Sequence, residues 1–138
     1  MTTAGERFAR AVAAKDAAAL AATMADGIDF QALTPGRHWQ AISPRQVAGE
    51  IVLGVWFGPG AAITGLAGLT TGEVGGRQHV AYRLEVTRDG LEYLVEQQAY
   101  YDTEGDQISW MRVLCAGYRP APVPVAVPAA GPASATAR

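Results

Sequence analysis

Residues 91–120, LEYLVEQQAYYDTEGDQISWMRVLCAGYRP, constrain the fold more than any other stretch. Residues 91–101 and 108–118 are rich in β-branched and aromatic side chains, and the polar run Asp102-Thr103-Glu104-Gly105-Asp106 separates them. That pattern predicts two long antiparallel strands joined by a turn. Strands of this length need further partners to bury an apolar face. Residues 63–71 and 79–87 supply them, with Gly75-Gly76 and Asp89-Gly90 as hairpin signals between the runs.

The first third of the chain follows a different period. Phe8 and Val12 are spaced i, i+4, as are Leu20 and Met24. Two short helices over about 5–14 and 17–25 follow, with Asp16 placed to cap the second. Ile28, Phe30 and Ala32 alternate as a strand, Pro35-Gly36 breaks it, and residues 39–42 form a short return strand. Ser43-Pro44-Arg45-Gln46 has the makings of a capping box and opens a third helix. Val47, Ile51, Val52 and Val55 give that helix its apolar face, and Gly58-Pro59-Gly60 stops it.

Helices followed by a run of strands mean α+β. The expected architecture is a cone-shaped fold, with three N-terminal helices packed on the concave face of a curved antiparallel sheet. Residues 1–120 form the domain. Residues 121–138, dominated by Pro and Ala, read as a disordered tail.

Composition narrows the function classes. With 138 residues and a net charge of −2, the chain has no basic block of the kind nucleic-acid binding requires. One cysteine, Cys115, excludes an internal disulfide and a cysteine-based metal cluster. His38 and His79 lack ligand-spaced partners, so no metal and no cofactor are expected. The opening residues MTTAGERFARAV have no long apolar core, and no run is long enough to span a membrane. The expectation is a cytoplasmic protein.

Pairing across Asp89-Gly90 sets a register. Val86 falls opposite Tyr93, Leu84 opposite Val95 and Tyr82 opposite Gln97, an apolar face that should be concave. Arg83 opposite Glu96 and Thr87 opposite Glu92 occupy the other face, and cross-strand charge pairs of this kind favour the register by roughly 0.2–1 kcal/mol. Alternation then places Gln97, Ala99, Tyr101, Met111, Val113 and Cys115 inward. It places Gln98, Tyr100, Trp110, Arg112 and Leu114 outward. Large residues on an outer sheet face call for a cover, and a homodimer through that face is expected.

The element order, together with the ending DTEGDQISWMRVLCAGYRP, resembles the SnoaL-like domain of the nuclear-transport-factor-2-like superfamily over about residues 5–119. The resemblance implies a cone with a hydrophobic pocket for small-molecule binding, and a polyketide cyclase-like, isomerase or hydrolase activity on a hydrophobic metabolite without a cofactor. The isomerases it resembles use a Tyr on the first helix, an Asp on the first strand and an Asp before the final turn. Those positions correspond here to Phe8, Ala32 and Gln97, none of them an acid or base; Gln31 and Glu96 stand next to the last two. A non-catalytic ligand-binding or dimeric scaffold domain is the alternative.

The residues expected to line the pocket are Gln97, Tyr82, Tyr101, Met111, Cys115 and Trp39. Gln97 has an amide that can orient a carbonyl or hydroxyl, and the tyrosines have phenolic donors. His38, beside Trp39 after a turn, is the candidate for proton transfer at the cone mouth. Cys115 has no adjacent base and is expected to pack inertly.

Overall fold

The computed structural model describes residues 2–122. The tail expected from residue 121 therefore lies, from residue 123 onward, outside the described residues. Helices α1 (Ala4–Ala14) and α2 (Ala17–Ala22) come first, each with a side-chain cap: Thr3 accepts from Glu6 N and Asp16 accepts from Ala19 N. Strand β1 (Met24–Thr34) begins one residue after Thr23 closes α2, so Met24 belongs to the sheet and not to the helix face expected for it. Strand β2 (Arg37–Ala41) returns beside β1.

The third helix, α3 (Gln46–Trp56), differs from expectation in its winding. Its start is the anticipated cap: Gln46 N donates to Ser43 Oγ at 3.1 Å, and Gln46 Oε1 reaches back to accept from Ile42 N at 2.9 Å. From there the helix is wound as a π-helix, ending with Phe57 N bonded to Val52 O. The i→i+5 spacing is uncommon. Gly54 permits it locally, because a Cβ there would stand 2.5 Å from the Gly49 carbonyl oxygen. The wider turn buries Trp56 and leaves Val55, expected on the apolar face, exposed.

Strands β3 (Ala61–Val74), β4 (Arg77–Arg88), β5 (Leu91–Glu104) and β6 (Gln107–Cys115) form the meander, and the two-residue β7 (Arg119–Pro120) pairs with β5. The sheet runs β2-β1-β6-β5-β4-β3. Asp89 and Gly90 both take positive φ, 53° and 76°, as a tight primed turn requires. Across that turn the pairs Val86–Tyr93, Leu84–Val95, Tyr82–Gln97 and Arg83–Glu96 are in register.

The architecture is α+β, with three helices against one curved sheet. In one respect it departs from an all-antiparallel sheet. β1 and β6 run parallel, Phe30 beside Met111 and Ala32 beside Val113. The meander β3–β6 starts at the far edge and walks back until β6 lies against β1, and its three reversals leave β6 antiparallel to β3 and parallel to β1. α1 lies across β3, β4 and β6, and α2 contacts β1 and α3. Lys15, in the left-handed conformation at the end of α1, donates to the carbonyls of Gly58 and Ala61 and ties the helices to the start of β3.

Candidate functional site at the mouth of the cone

The concave wall is built from alternate residues of β4, β5 and β6. Tyr82, Leu84, Val86, Val95, Gln97, Ala99, Tyr101, Met111, Val113 and Cys115 are all buried. Phe8, Ala32 and Gln97, the three positions where the resembling isomerases have acid and base groups, all face inward and are buried. Gln31 faces outward and Glu96 is exposed on the outer face. No Asp or Glu is buried among the described residues.

At its closed end the cone is filled. Tyr101 and Met111 are paired across β5 and β6 and pack in one cluster with Phe8 of α1. The Tyr101 hydroxyl accepts from Gly5 N at 2.9 Å and donates to Gln78 Oε1 at 3.2 Å. Tyr101 and Met111, expected as pocket residues, are 1% and 0% exposed in the core, and the hydroxyl is occupied. Trp39 is also buried, its indole N–H given to Thr34 Oγ1 at 2.8 Å and its ring set edge-on to Trp56.

Gln97, Tyr82 and Cys115 do come together. Tyr82 donates to Gln97 Oε1 at 2.7 Å, and Gln97 pairs with Cys115 across β5 and β6. The Tyr82 hydroxyl thereby fixes the amide orientation. Gln97 Nε2 is left with no acceptor among the described residues, as is the indole N–H of Trp56. An unpaired buried donor is costly, about 1–3 kcal/mol. Burial pushes the Tyr82 phenol far above its ordinary pKa, with the nearby Cys115 thiol adding to the shift. Tyr82 is thus a donor at every physiological pH.

From Cys115 the wall opens to a cavity of about 260 Å³ at the mouth of the cone. Val95, Trp56, Phe57, Tyr118 and Arg88 line it with Cys115. Sequence reasoning missed Trp56, Phe57, Arg88 and Tyr118. The π-helical turn brings the first two there, and the break at Gly117 sets Tyr118 back over the mouth, where its hydroxyl donates to Trp56 O at 2.6 Å. Gly117 is required at this bend, with φ 84° and a Cβ position only 2.7 Å from Pro35. Arg88 was legible: it continues the inward series Tyr82, Leu84, Val86 by two residues.

His38 is not at the mouth. Alternation along β2 sends Trp39 inward and His38 to the outer face, where its Nε2 lies 2.9 Å from Gln31 Oε1. It borders an outer groove of about 360 Å³ together with Leu33, Tyr100, Arg112 and Leu114. A proton-transfer role inside the cone is out of its reach. Among the described residues no group of three or more His, Cys, Asp or Glu is placed to hold a metal, and no helix is long and apolar enough to cross a membrane.

Solved structures share this arrangement of helices and sheet. An LEH-like epoxide hydrolase from M. tuberculosis matches with a TM-score of 0.60 at 13% identity, over 81% of this chain and 79% of the other. A candidate polyketide cyclase from Pseudomonas putida matches with a TM-score of 0.61 at 14% identity, over 82% and 91% of the two chains. An NTF2-like protein of unknown function from Cytophaga hutchinsonii matches with a TM-score of 0.50 at 13% identity, over 83% and 91%. The fold is the NTF2-like cone. No protein-family model matches the sequence, and no curated protein is similar to it. At these identities the likeness establishes the fold alone.

Proposed function

We propose that this NTF2-like chain binds a small, mostly apolar molecule at the mouth of its cone. The observation that carries the reading is the cavity itself, walled by Val95, Trp56, Phe57, Tyr118 and Cys115. A volume of about 260 Å³ lies just below the roughly 300–1,000 Å³ typical of drug-sized ligand sites, so the ligand is small. Gln97 and Tyr82 lie outside this lining, on a separate cavity of about 460 Å³ that also reaches Cys115, so the walls supply most of the affinity. With no Asp or Glu buried among the described residues, acid–base chemistry of the isomerase type lacks its usual carboxylate. Binding is therefore favoured over a cyclase, isomerase or hydrolase activity, and it requires no cofactor.

Titration with acetophenone, a neutral carbonyl probe, tests this by following the Trp56 indole resonance. Saturable binding is expected. Cys115→Phe, which fills the floor of the mouth, should abolish it. No response of Trp56 to the probe, or unchanged affinity in Cys115→Phe, would remove the site.

The outer face supports a second reading, self-association. Leu33 and Leu114, on the adjacent strands β1 and β6, are 52% and 51% exposed beside Tyr100. Trp110, expected to share this patch, is instead covered by two guanidiniums, Arg77 at 3.6 Å and Arg112 at 4.3 Å from its ring centroid. We infer a homodimer seated on Leu33, Tyr100 and Leu114. Sedimentation at micromolar concentration should give a dimer for the wild type and a monomer for the Leu33→Arg, Leu114→Arg double variant. A monomeric wild type refutes it.

A further inference from the structure

We propose that the ligand of the mouth is an anion, a small apolar carboxylate whose charged end lies on the guanidinium of Arg88. This rests on the mouth being a ligand site and adds the class of molecule it takes. Arg88 ends β4 on the concave face, two residues beyond Val86, and lines the mouth with Trp56, Phe57 and Val95. Its guanidinium carbon stands 3.9 Å from the ring centroid of Tyr118 and 5.6 Å from that of Tyr93. Stacking engages the flat face of the guanidinium, one N–H lies toward the Tyr118 hydroxyl, and the rest of the edge is a rigid fork that matches a carboxylate in two parallel bonds.

That edge has no carboxylate of its own. Among the described residues the ion pairs use Arg10, Arg45, Arg77, Arg83 and Arg112, and Arg88 enters none of them. The lining of the mouth contains no Asp or Glu. Trp56, on the same lining, adds an indole N–H without an acceptor. The mouth therefore holds one cation and an unpaired donor, and what it lacks is an acceptor bearing negative charge. A charge brought into a half-enclosed apolar site is tolerated when it meets an opposite charge there. One guanidinium matches a monoanion. The apolar walls suit an aromatic or branched body attached to it, which separates this class from inorganic phosphate or a polar diacid.

Phenylacetate and its neutral analogue phenylacetamide separate the charge from the shape. Calorimetric titration of the full chain should show phenylacetate binding tighter by about tenfold or more, the factor a charge-assisted hydrogen bond supplies. Arg88→Gln should erase that preference, bringing the affinities for phenylacetate and phenylacetamide together. Arg88→Met, which keeps an apolar chain over Tyr118, should do the same, and Arg88→Lys should retain part of it. Equal affinity for the two probes in the wild type, or a preference that survives Arg88→Gln and Arg88→Met, overturns the assignment while the mouth remains a binding site. If neither probe binds or moves the Trp56 indole resonance, both the anion assignment and the site fall.

Discussion

Gln97→Glu is expected to give a protein that folds normally near about pH 4 and loses much of its stability as the pH rises toward neutrality. Gln97 is 3% exposed, and its side-chain oxygen receives one hydrogen bond, from Tyr82 at 2.7 Å. A protonated carboxyl has almost the shape of the amide and can still accept that bond. An ionised one would be a buried charge, with no cation in contact with Gln97 among the described residues. Burial raises the pKa of such a group, by up to roughly 3–5 pH units when it is complete. The unfolded chain titrates near about 4.3. Between that value and the raised folded value the native state holds more protons than the unfolded one, so stability falls with rising pH. The stability is fully present below the unfolded pKa and is lost by the time the pH passes the folded one. At about 1.4 kcal/mol per pH unit the full loss is roughly 4–7 kcal/mol, about 4 kcal/mol of it by neutral pH, a large part of the stability of many domains, about 5–15 kcal/mol. Urea midpoints measured from acid to neutral pH, taken as differences from the wild type, should show this slope for Gln97→Glu and a flat offset for Gln97→Leu. A flat offset for both would mean that the position reaches water, and that the concave wall is open where it has been described as closed.

The sheet was legible because its signals are local. A tight turn at Asp89-Gly90 and alternation on either side leave one register that buries an apolar face, and a slip of one residue would turn Tyr82, Leu84 and Gln97 outward. The pairing of β1 with β6 has no such signal. It joins segments separated by most of the chain, and nothing in either strand specifies direction. The winding of α3 was hidden for another reason. Val47, Ile51, Val52 and Val55 fit the ordinary helical period, and only the i→i+5 turn, eased by the glycine at 54, exchanges Val55 for Trp56.

The same two devices explain why the structure brings together only part of the expected lining. Gln97, Tyr82 and Cys115 sit on regular strands, where alternation determines the side each faces. Trp56, Phe57 and Tyr118 are positioned by a helix end and a glycine bend, whose geometry is set by packing and not by local sequence. His38 was displaced by a single step: with Trp39 buried, its neighbour on a strand must face the other way.

The closed end of the cone yields the other large effect. Gly5, in the first turn of α1, lies so close to β5 that a Cβ would stand 2.6 Å from the Tyr101 hydroxyl and 2.7 Å from its ring. Gly5→Val should therefore push α1 off the sheet, at about 1–3 kcal/mol or somewhat more. Tyr101→Ala removes a ring that is 1% exposed and should cost about 3–5 kcal/mol. Together the two should cost less than their sum by at least about 1 kcal/mol, because the valine moves into space the ring has left. Gly49→Ala supplies the contrast: a Cβ there meets nothing within 4 Å, so the change should be neutral or mildly stabilising. Urea denaturation of the four variants and the wild type completes the cycle. Additive losses would show that Gly5 and Tyr101 are not in contact. The cycle also bears on the site, since Tyr101→Phe should lower stability by orphaning the Gly5 N–H without changing acetophenone affinity. A loss of affinity in that variant would return Tyr101 to the ligand and move the pocket from the mouth of the cone to its closed end.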